Sequence, residues 1–343
     1  MAEKLVALEE FLSLREKYPI IDARSEGEFA QSHIPKALNI PILNNKERVI
    51  VGTLYKSKGS EDAMLKGFEL VGPKFHKIQK NALKQFPEKK ILLYCWRGGM
   101  RSEILSWLLS MVGFEIFRLN GGYKTYRTYT FELVRENWKF LNLAGRTGTG
   151  KTRLLHGLRE WGQQIIDLEG LANHKGSSFG GIGQNPQPSV EQFENLLAEA
   201  LRRLDPKDFI WIENESRRIG KVMLPDHFYE QMISAPLVSI TKSREERIDL
   251  IAEEYGALDK EGLIAAVSRL RKKLGGQRTK EAIEAIISEN KETWIGLVLE
   301  YYDKAYDFDL SNHQTDQFVD LNLQGINFEE SLTKLIHARQ QIT

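Results

Sequence analysis

The chain has 343 residues, and at roughly 100 to 200 residues per domain that length predicts two domains, each able to bury its own core. With 41% hydrophobic and 28% charged residues and only 10 prolines, the composition excludes a disordered or fibrous chain. A single cysteine, Cys95, excludes an intrachain disulfide and any multi-cysteine metal site, and 48 Lys and Arg against 47 Asp and Glu mean that a polyanionic partner must be met by a local patch. The longest uninterrupted apolar run, residues 91–96, falls far short of the roughly 20 that cross a bilayer, and Met1-Ala2-Glu3-Lys4 opens no signal-peptide core. A cytoplasmic protein with no membrane partner is expected.

In chain order, Pro19-Ile20-Ile21-Asp22-Ala23-Arg24 predicts a short buried strand closing in a charged turn, and Ile91-Leu92-Leu93-Tyr94 a second one. Apolar residues at helical spacing over 103–112 (Ile104, Leu105, Trp107, Leu108, Met111), stopped by Gly113, predict a helix reached from that second strand through a Gly-rich loop. Residues 114–119 read as the next strand, closed by Gly121-Gly122. Over 123–136 no clean period is visible, and the domain junction is placed there, giving domains 1–128 and 129–343. Strand patterns resume at 139–144, 164–167, 209–213 and 237–241, separated by helical ones such as 190–204, an alternation that predicts a parallel α/β sheet. Residues 244–307 are almost wholly helical in pattern, a helical subdomain appended to the second sheet.

Cys95-Trp96-Arg97-Gly98-Gly99-Met100-Arg101-Ser102 lies between a strand and a helix, so its backbone N–H groups converge with the helix N-terminus on one spot suited to an anion or a thiolate. Two glycines let the backbone close round that spot, and Arg97 and Arg101 add positive charge. A lone cysteine is more often a small buried hydrophobe, but burial alone does not call for two Gly and two Arg within six residues. Cys95 as nucleophile with Arg97 and Arg101 is the first candidate site.

Further on, Gly145-Arg146-Thr147-Gly148-Thr149-Gly150-Lys151-Thr152 matches G-x-x-x-x-G-K-[ST] after a predicted strand and before a helical pattern, the context in which the motif is specific. Backbone around Gly145, Thr147, Gly148 and Gly150 is expected to cradle phosphate oxygens, with Lys151 neutralising them and Thr152 placed for Mg²⁺. The pattern does not choose between a nucleotide and another diphosphate. A polar rim is expected at the ends of the neighbouring strands: Asp167, Glu169 and His174 after one, Glu213, Glu215 and Arg217 after another, where open α/β sheets bind ligands. These acids read equally as metal ligands and as solvated caps, and no metal is assigned. From 268 to 280 the chain carries Arg269, Arg271, Lys272, Lys273, Arg278 and Lys280 with no acid, either an RNA-backbone track or a solvated helix face.

The first half resembles the rhodanese family of sulfurtransferases, through Asp22-Ala23-Arg24-Ser25 with Glu26, Glu28 and Phe29, through His33-Ile34-Pro35 to Pro41, through the Cys95 loop, and through Gly113-Phe114 and Gly121-Gly122-Tyr123. Its Cys-x5-Arg-Ser loop is a residue longer than that of small rhodaneses and closer to that of related phosphatases, although Tyr94 stands where those usually carry His. A rhodanese-like unit followed by a P-loop unit, together with Asp167-Leu168-Glu169-Gly170 and Glu213-Asn214-Glu215-Ser216-Arg217-Arg218, resembles the bacterial tRNA 2-selenouridine synthase family over essentially the whole chain. What that resemblance implies is replacement of sulfur by selenium in wobble-position 2-thiouridine of tRNA, through an S-geranylated intermediate. It further implies selenophosphate and geranyl diphosphate as co-substrates, Mg²⁺ as a possible ion, no tightly bound cofactor, and the selenophosphate-producing enzyme as a possible partner. The alternatives left by the residues are a rhodanese-fold phosphatase, or a thiosulfate sulfurtransferase fused to a P-loop kinase or NTPase.

Overall fold

A computed structural model describes residues 3–255, 259–310 and 315–342, with side chains omitted at 308–310. The chain divides into two compact units, Met1–Leu133 with Glu194–Glu199, and Val134–Phe193 with Ala200–Thr343.

The first unit is built on five parallel strands: β1 (Glu3–Val6), β2 (Ile20–Asp22), β3 (Leu38–Asn39), β4 (Lys90–Tyr94) and β5 (Glu115–Leu119), in the spatial order β1-β5-β4-β2-β3. β4 is central, and Ile91, Leu92, Leu93 and Tyr94 are all buried, the continuous apolar run required of a strand covered on both faces. Its register sets Tyr94 beside Asp22 of β2. There Asp22 holds Arg24 in a buried pair, with Nη2 to Oδ2 at 2.7 Å, and the guanidinium lies 4.0 Å from the Tyr123 ring centroid. The chain leaves β4 at Cys95 and enters the helix Met100–Ser110.

Two stretches in this unit are more helical than their sequence suggests. Residues 45–71 form the helices Asn45–Lys58 and Ser60–Val71, started by the Asn44 and Glu47 capping box and parted at Gly59, whose φ is +97°. Residues 122–133, where no clean period was visible, form the helix Gly122–Leu133. It buries Tyr123, Tyr126, Thr130 and Leu133, so a polar threonine occupies a core position and masks the apolar spacing.

The second unit carries β6 (Phe140–Ala144), β7 (Gln164–Ile166), β8 (Ile210–Glu213), the short antiparallel pair β9 (Arg218–Ile219) and β10 (Val222–Met223), β11 (Leu237–Thr241) and β12 (Phe318–Asn322). The main sheet is parallel in the order β12-β11-β6-β8-β7. Its strands and the helices Lys151–Glu160 and Phe328–Gln341 share one core, with Leu154, Leu155 and Leu158 meeting Leu332 and Leu335. The helical stretch resolves into Arg244–Tyr255, Lys260–Arg269, Arg271–Leu274, Gly276–Ile287 and Lys291–Leu310 around a separate core that includes Leu263, Val267, Ile286 and Trp294. The unit therefore pairs a sheet core with a helical one, and the P-loop lies where β6 ends. Among the described residues no helix is long and apolar enough to cross a membrane.

Candidate functional site

Cys95 is buried, with its Sγ 3.2 Å from Ser102 Oγ and 3.6 Å from the Gly99 carbonyl. The loop above it is clamped from two sides. The Tyr123 N–H donates to the Cys95 carbonyl at 2.8 Å and the Lys124 N–H to that of Trp96 at 2.9 Å, while Arg118 donates to the Gly98 carbonyl and to Glu3. Gly122, at φ +62°, makes this clamp possible: a Cβ there would stand 2.3 Å from the Cys95 carbonyl oxygen. Among the described residues, the N–H groups of residues 96–101 donate to no acceptor, so the loop presents a row of unpaired donors at the start of a helix, a cradle for an anion.

The two loop arginines differ. Arg101 is ion-paired to Glu28, Nη1 to Oε2 at 2.7 Å, and Glu28 also receives Arg48 at 3.0 Å and the Ser25 hydroxyl. Burial raises the Glu28 carboxyl, but the Arg101 hydrogen bond and charge outweigh it and hold the group below its ordinary value. Arg97 is exposed and makes no ion pair among the described residues. It is the cation left over for an incoming anion. Ser102 and Arg118 were not singled out as site residues from the sequence; the serine directly follows the motif arginine and was legible, whereas Arg118 sits on β5 and gives no local signal.

In the second unit Gly148, at φ +84°, packs so closely on the helix Arg244–Tyr255 that a Cβ would meet Ile251 at 2.8 Å. The N–H groups of Thr147, Gly148, Gly150, Lys151 and Thr152 donate to no acceptor among the described residues, and the Lys151 ammonium folds over the loop onto the Gly145 carbonyl at 2.6 Å. The loop is braced from outside by Arg247, whose Nε donates to the Thr147 carbonyl at 2.8 Å and whose two Nη atoms grip Asp303. Arg146 binds Asp307 through Nε and Nη2. Arg247 is one of several charges on the helix Arg244–Tyr255, beside Arg244, Glu245 and Glu246, and the sequence gives no sign that it is buried, at 4% exposed.

A cavity of about 430 Å³ opens over this loop, lined by Gly148, Lys151, Thr152, Glu169, Lys175 and Tyr255 among others. Glu169 lines it and forms a group of three carboxylates with Glu213 and Glu215, each with an oxygen within 4.8 Å of the others. Thr152 Oγ1 lies 3.3 Å from Glu169. Burial, then mutual repulsion, raises all three above their ordinary values, Glu213 to about 8. By geometry, both Glu213 oxygens are buried without a hydrogen-bond partner among the described residues. A divalent cation fits this donor set of hard oxygens, because it would supply the partner that the buried carboxylate lacks.

The remaining rim residues face elsewhere. Asp167 caps the helix Leu168–Ala172 through the Gly170 N–H and pairs with His156 at 2.7 Å. His174 packs against Gly180 and Gly220, its Nδ1 buried without a partner among the described residues and burial lowering its pKa, and Arg217 pairs with Asp226. The basic segment is split by Gly275, at φ +87°, between two helices. Arg269 donates to the Ser178 carbonyl, Lys273 to the Tyr301 hydroxyl, and Arg278 pairs with Glu300, which leaves Arg271 and Lys272 exposed and without an ion pair among the described residues.

Comparison with known proteins covers both units. The tRNA 2-selenouridine synthase AAA domain matches residues 138–334, and the rhodanese-like domain matches residues 7–128. A tRNA 2-selenouridine synthase of Hydrogenovibrio crunogenus (strain DSM 25203 / XCL-2) is 39% identical over 332 residues, 86% of this chain and 90% of that one. Another, from Sulfurovum sp. (strain NBC37-1), is 37% identical over 330 residues, 86% of this chain and 89% of its own.

Proposed function

The chain belongs to the tRNA 2-selenouridine synthase family, and we propose that it replaces the sulfur of wobble-position 2-thiouridine in tRNA by selenium in two steps. In the first, the thiouridine sulfur attacks C1 of geranyl diphosphate. The C–O bond breaks, and its electron pair leaves with the diphosphate, which is held by the P-loop N–H groups and Lys151. In the second, the selenium of selenophosphate attacks C2 of the modified base, the C2–S bond breaks, and the sulfur departs with the electron pair as geranylthiolate. Water then cleaves the Se–P bond and phosphate leaves. The Cys95 loop binds the phosphoryl oxygens in this step through its N–H groups and Arg97, with Cys95 beneath assisting transfer.

The observation that carries the first step is what stands beside the phosphate cradle. Beside Lys175, Ser177, Glu253 and Glu254, the cavity wall carries Leu250, Ile251 and Tyr255, and it shares Ile251 and Tyr255 with a small apolar crevice of about 30 Å³ lined by Phe179, Trp294, Val298 and Tyr302. These aliphatic and aromatic side chains suit the start of a prenyl chain. Mg²⁺ bound by Glu169, Glu213 and Glu215 would supply charge neutralisation to the departing diphosphate. The P-loop residues themselves orient the diphosphate and exclude water from C1.

The reading is tested by incubating purified protein with geranyl diphosphate and thiouridine tRNA, nucleotide omitted or added, and analysing nucleosides by mass spectrometry. S-geranyl-2-thiouridine should form without nucleotide, and Lys151→Ala should slow its formation by roughly 10²-fold or more. Product only in the presence of ATP or GTP would make the loop a nucleotide site.

A further inference from the structure

The first unit holds a second apolar cavity that the diphosphate chemistry does not use. Its volume is about 440 Å³, and it lies between the helices Asn45–Lys58 and Ser60–Val71 and the start of Met100–Ser110. The walls are Ile42, Val51, Tyr55, Met64, Phe68 and Ile104. Tyr55, Met64, Phe68 and Met100 stand exposed there, a concentration of large apolar side chains that marks a binding surface. Apolar cavities of about 150 Å³ accommodate a six-carbon ring, so this one has room for a branched ten-carbon chain.

Two further features narrow the occupant. The cavity adjoins the Cys95 loop: Met100 and Arg101 belong to both, and Cys95 packs in the same core cluster as Ile42, Leu43 and Val71. Its rim is cationic, because Arg48 and Arg101 share the single Glu28 and Lys56 adds a third positive charge. A ligand with a hydrocarbon body and an anionic attachment is therefore complementary to it.

We propose that this cavity receives the geranyl chain of the S-geranyl-2-thiouridine intermediate, and so holds the leaving geranylthiolate next to the Cys95 loop while selenium attacks C2. The proposal rests on the two-step reading above. The chain would be bound twice, as diphosphate ester at the P-loop and as thioether here, and the cationic rim would meet the thiolate as the C2–S bond breaks.

Gly52 and Gly67 line the cavity on helices, and a Cβ at either finds nothing within 4 Å. Gly67→Phe and Gly52→Leu should therefore fill it without backbone strain, with Gly67→Ala as the control and thermal melting to confirm folding. The measurement is kcat/KM for selenation, by selenophosphate, of an RNA carrying S-geranyl-2-thiouridine against the same RNA carrying S-methyl-2-thiouridine. Wild type should favour the geranyl substrate by about 10²-fold, Gly67→Ala should keep the preference, and both filled variants should lose most of it. Equal rates on the two RNAs in wild type, or a preference that survives filling, would overturn the proposal while leaving the two-step reading intact. Failure of wild type to selenate either RNA would instead remove that reading. Calorimetric titration with geranylthiol then tests the cavity alone: binding lost in Gly67→Phe supports the assignment, whereas no binding, binding unaffected by filling, or tighter binding of decanoate overturns it.

Discussion

Glu213→Gln keeps the size of the side chain and removes an ionisable carboxyl from a fully buried position. Burial and the neighbouring charge of Glu169 raise the Glu213 carboxyl from its ordinary 4.5 to about 8, so keeping it ionised in the folded protein costs on the order of 5 kcal/mol. The folded state retains a proton that the unfolded chain releases near 4.5. This group's stabilisation is therefore complete below that pH and is lost as pH rises through about 8. Magnesium competes with those protons. Its stabilising effect should be small near pH 6 and larger near pH 8.5, where an excess of about 100 times Kd adds about 2.7 kcal/mol, or roughly 5 to 10 °C in a unit of this size. Scanning fluorimetry across that range, in EDTA or in magnesium chloride, reads both effects. In wild type without the ion, the second unit should melt lower as pH rises, and magnesium should restore it. Glu213→Gln should flatten both responses. A variant that loses stability with pH as steeply as wild type, or responds equally to magnesium, would refute the assignment of Glu213 to a cation site.

Cys95→Ser should strongly reduce selenation while leaving S-geranyl-2-thiouridine detectable by mass spectrometry, because a hydroxyl does not replace the thiol that assists transfer beneath the anion cradle; loss of both products would make the cysteine structural. Reversing the charges of Arg271 and Lys272 should weaken tRNA binding and lower the slope of log K against log salt by about one for each phosphate contact removed. An unchanged slope would identify a solvated helix face. Arg247→Ala leaves Asp303 without its partner and the Thr147 carbonyl without its donor, and should destabilise the second unit by about 3 kcal/mol as well as weaken diphosphate binding, which melting with and without inorganic diphosphate reports.

The strands that carry both loops were legible because each is a run of apolar residues ending at a glycine-rich turn: β4 before Cys95 and β6 before Gly145. The two-sheet architecture followed from their alternation with helical patterns. β12 escaped notice because alternate residues of Phe318–Asn322 are exposed and the strand owes its place to pairing with β11, a contact between segments far apart in the chain. The helical hairpin over 45–71 was missed for a related reason: its apolar residues line an open groove, so the spacing that marks a core-facing helix is diluted. The acids were harder. Asp167, Glu169, Glu213 and Glu215 all lie at or just after strand ends in sequence, but only three converge, since Asp167 is consumed as a helix cap. Which acid caps and which ligates depends on side-chain direction, and spacing alone does not report it.

The grip of Arg247 on the Thr147 carbonyl and on Asp303 means that the phosphate loop does not hold its shape by its own letters. A hundred positions along the chain separate Thr147 from the arginine that fixes it. A fragment ending after β11 would preserve G-x-x-x-x-G-K-T intact, yet it would leave Gly148 without the helix it rests on and Thr147 without a restraint. Grafting the motif onto another sheet should transfer the signature and lose the affinity, and substitutions deep in the helical appendage are a route by which phosphate binding could be tuned without touching a single residue of the loop.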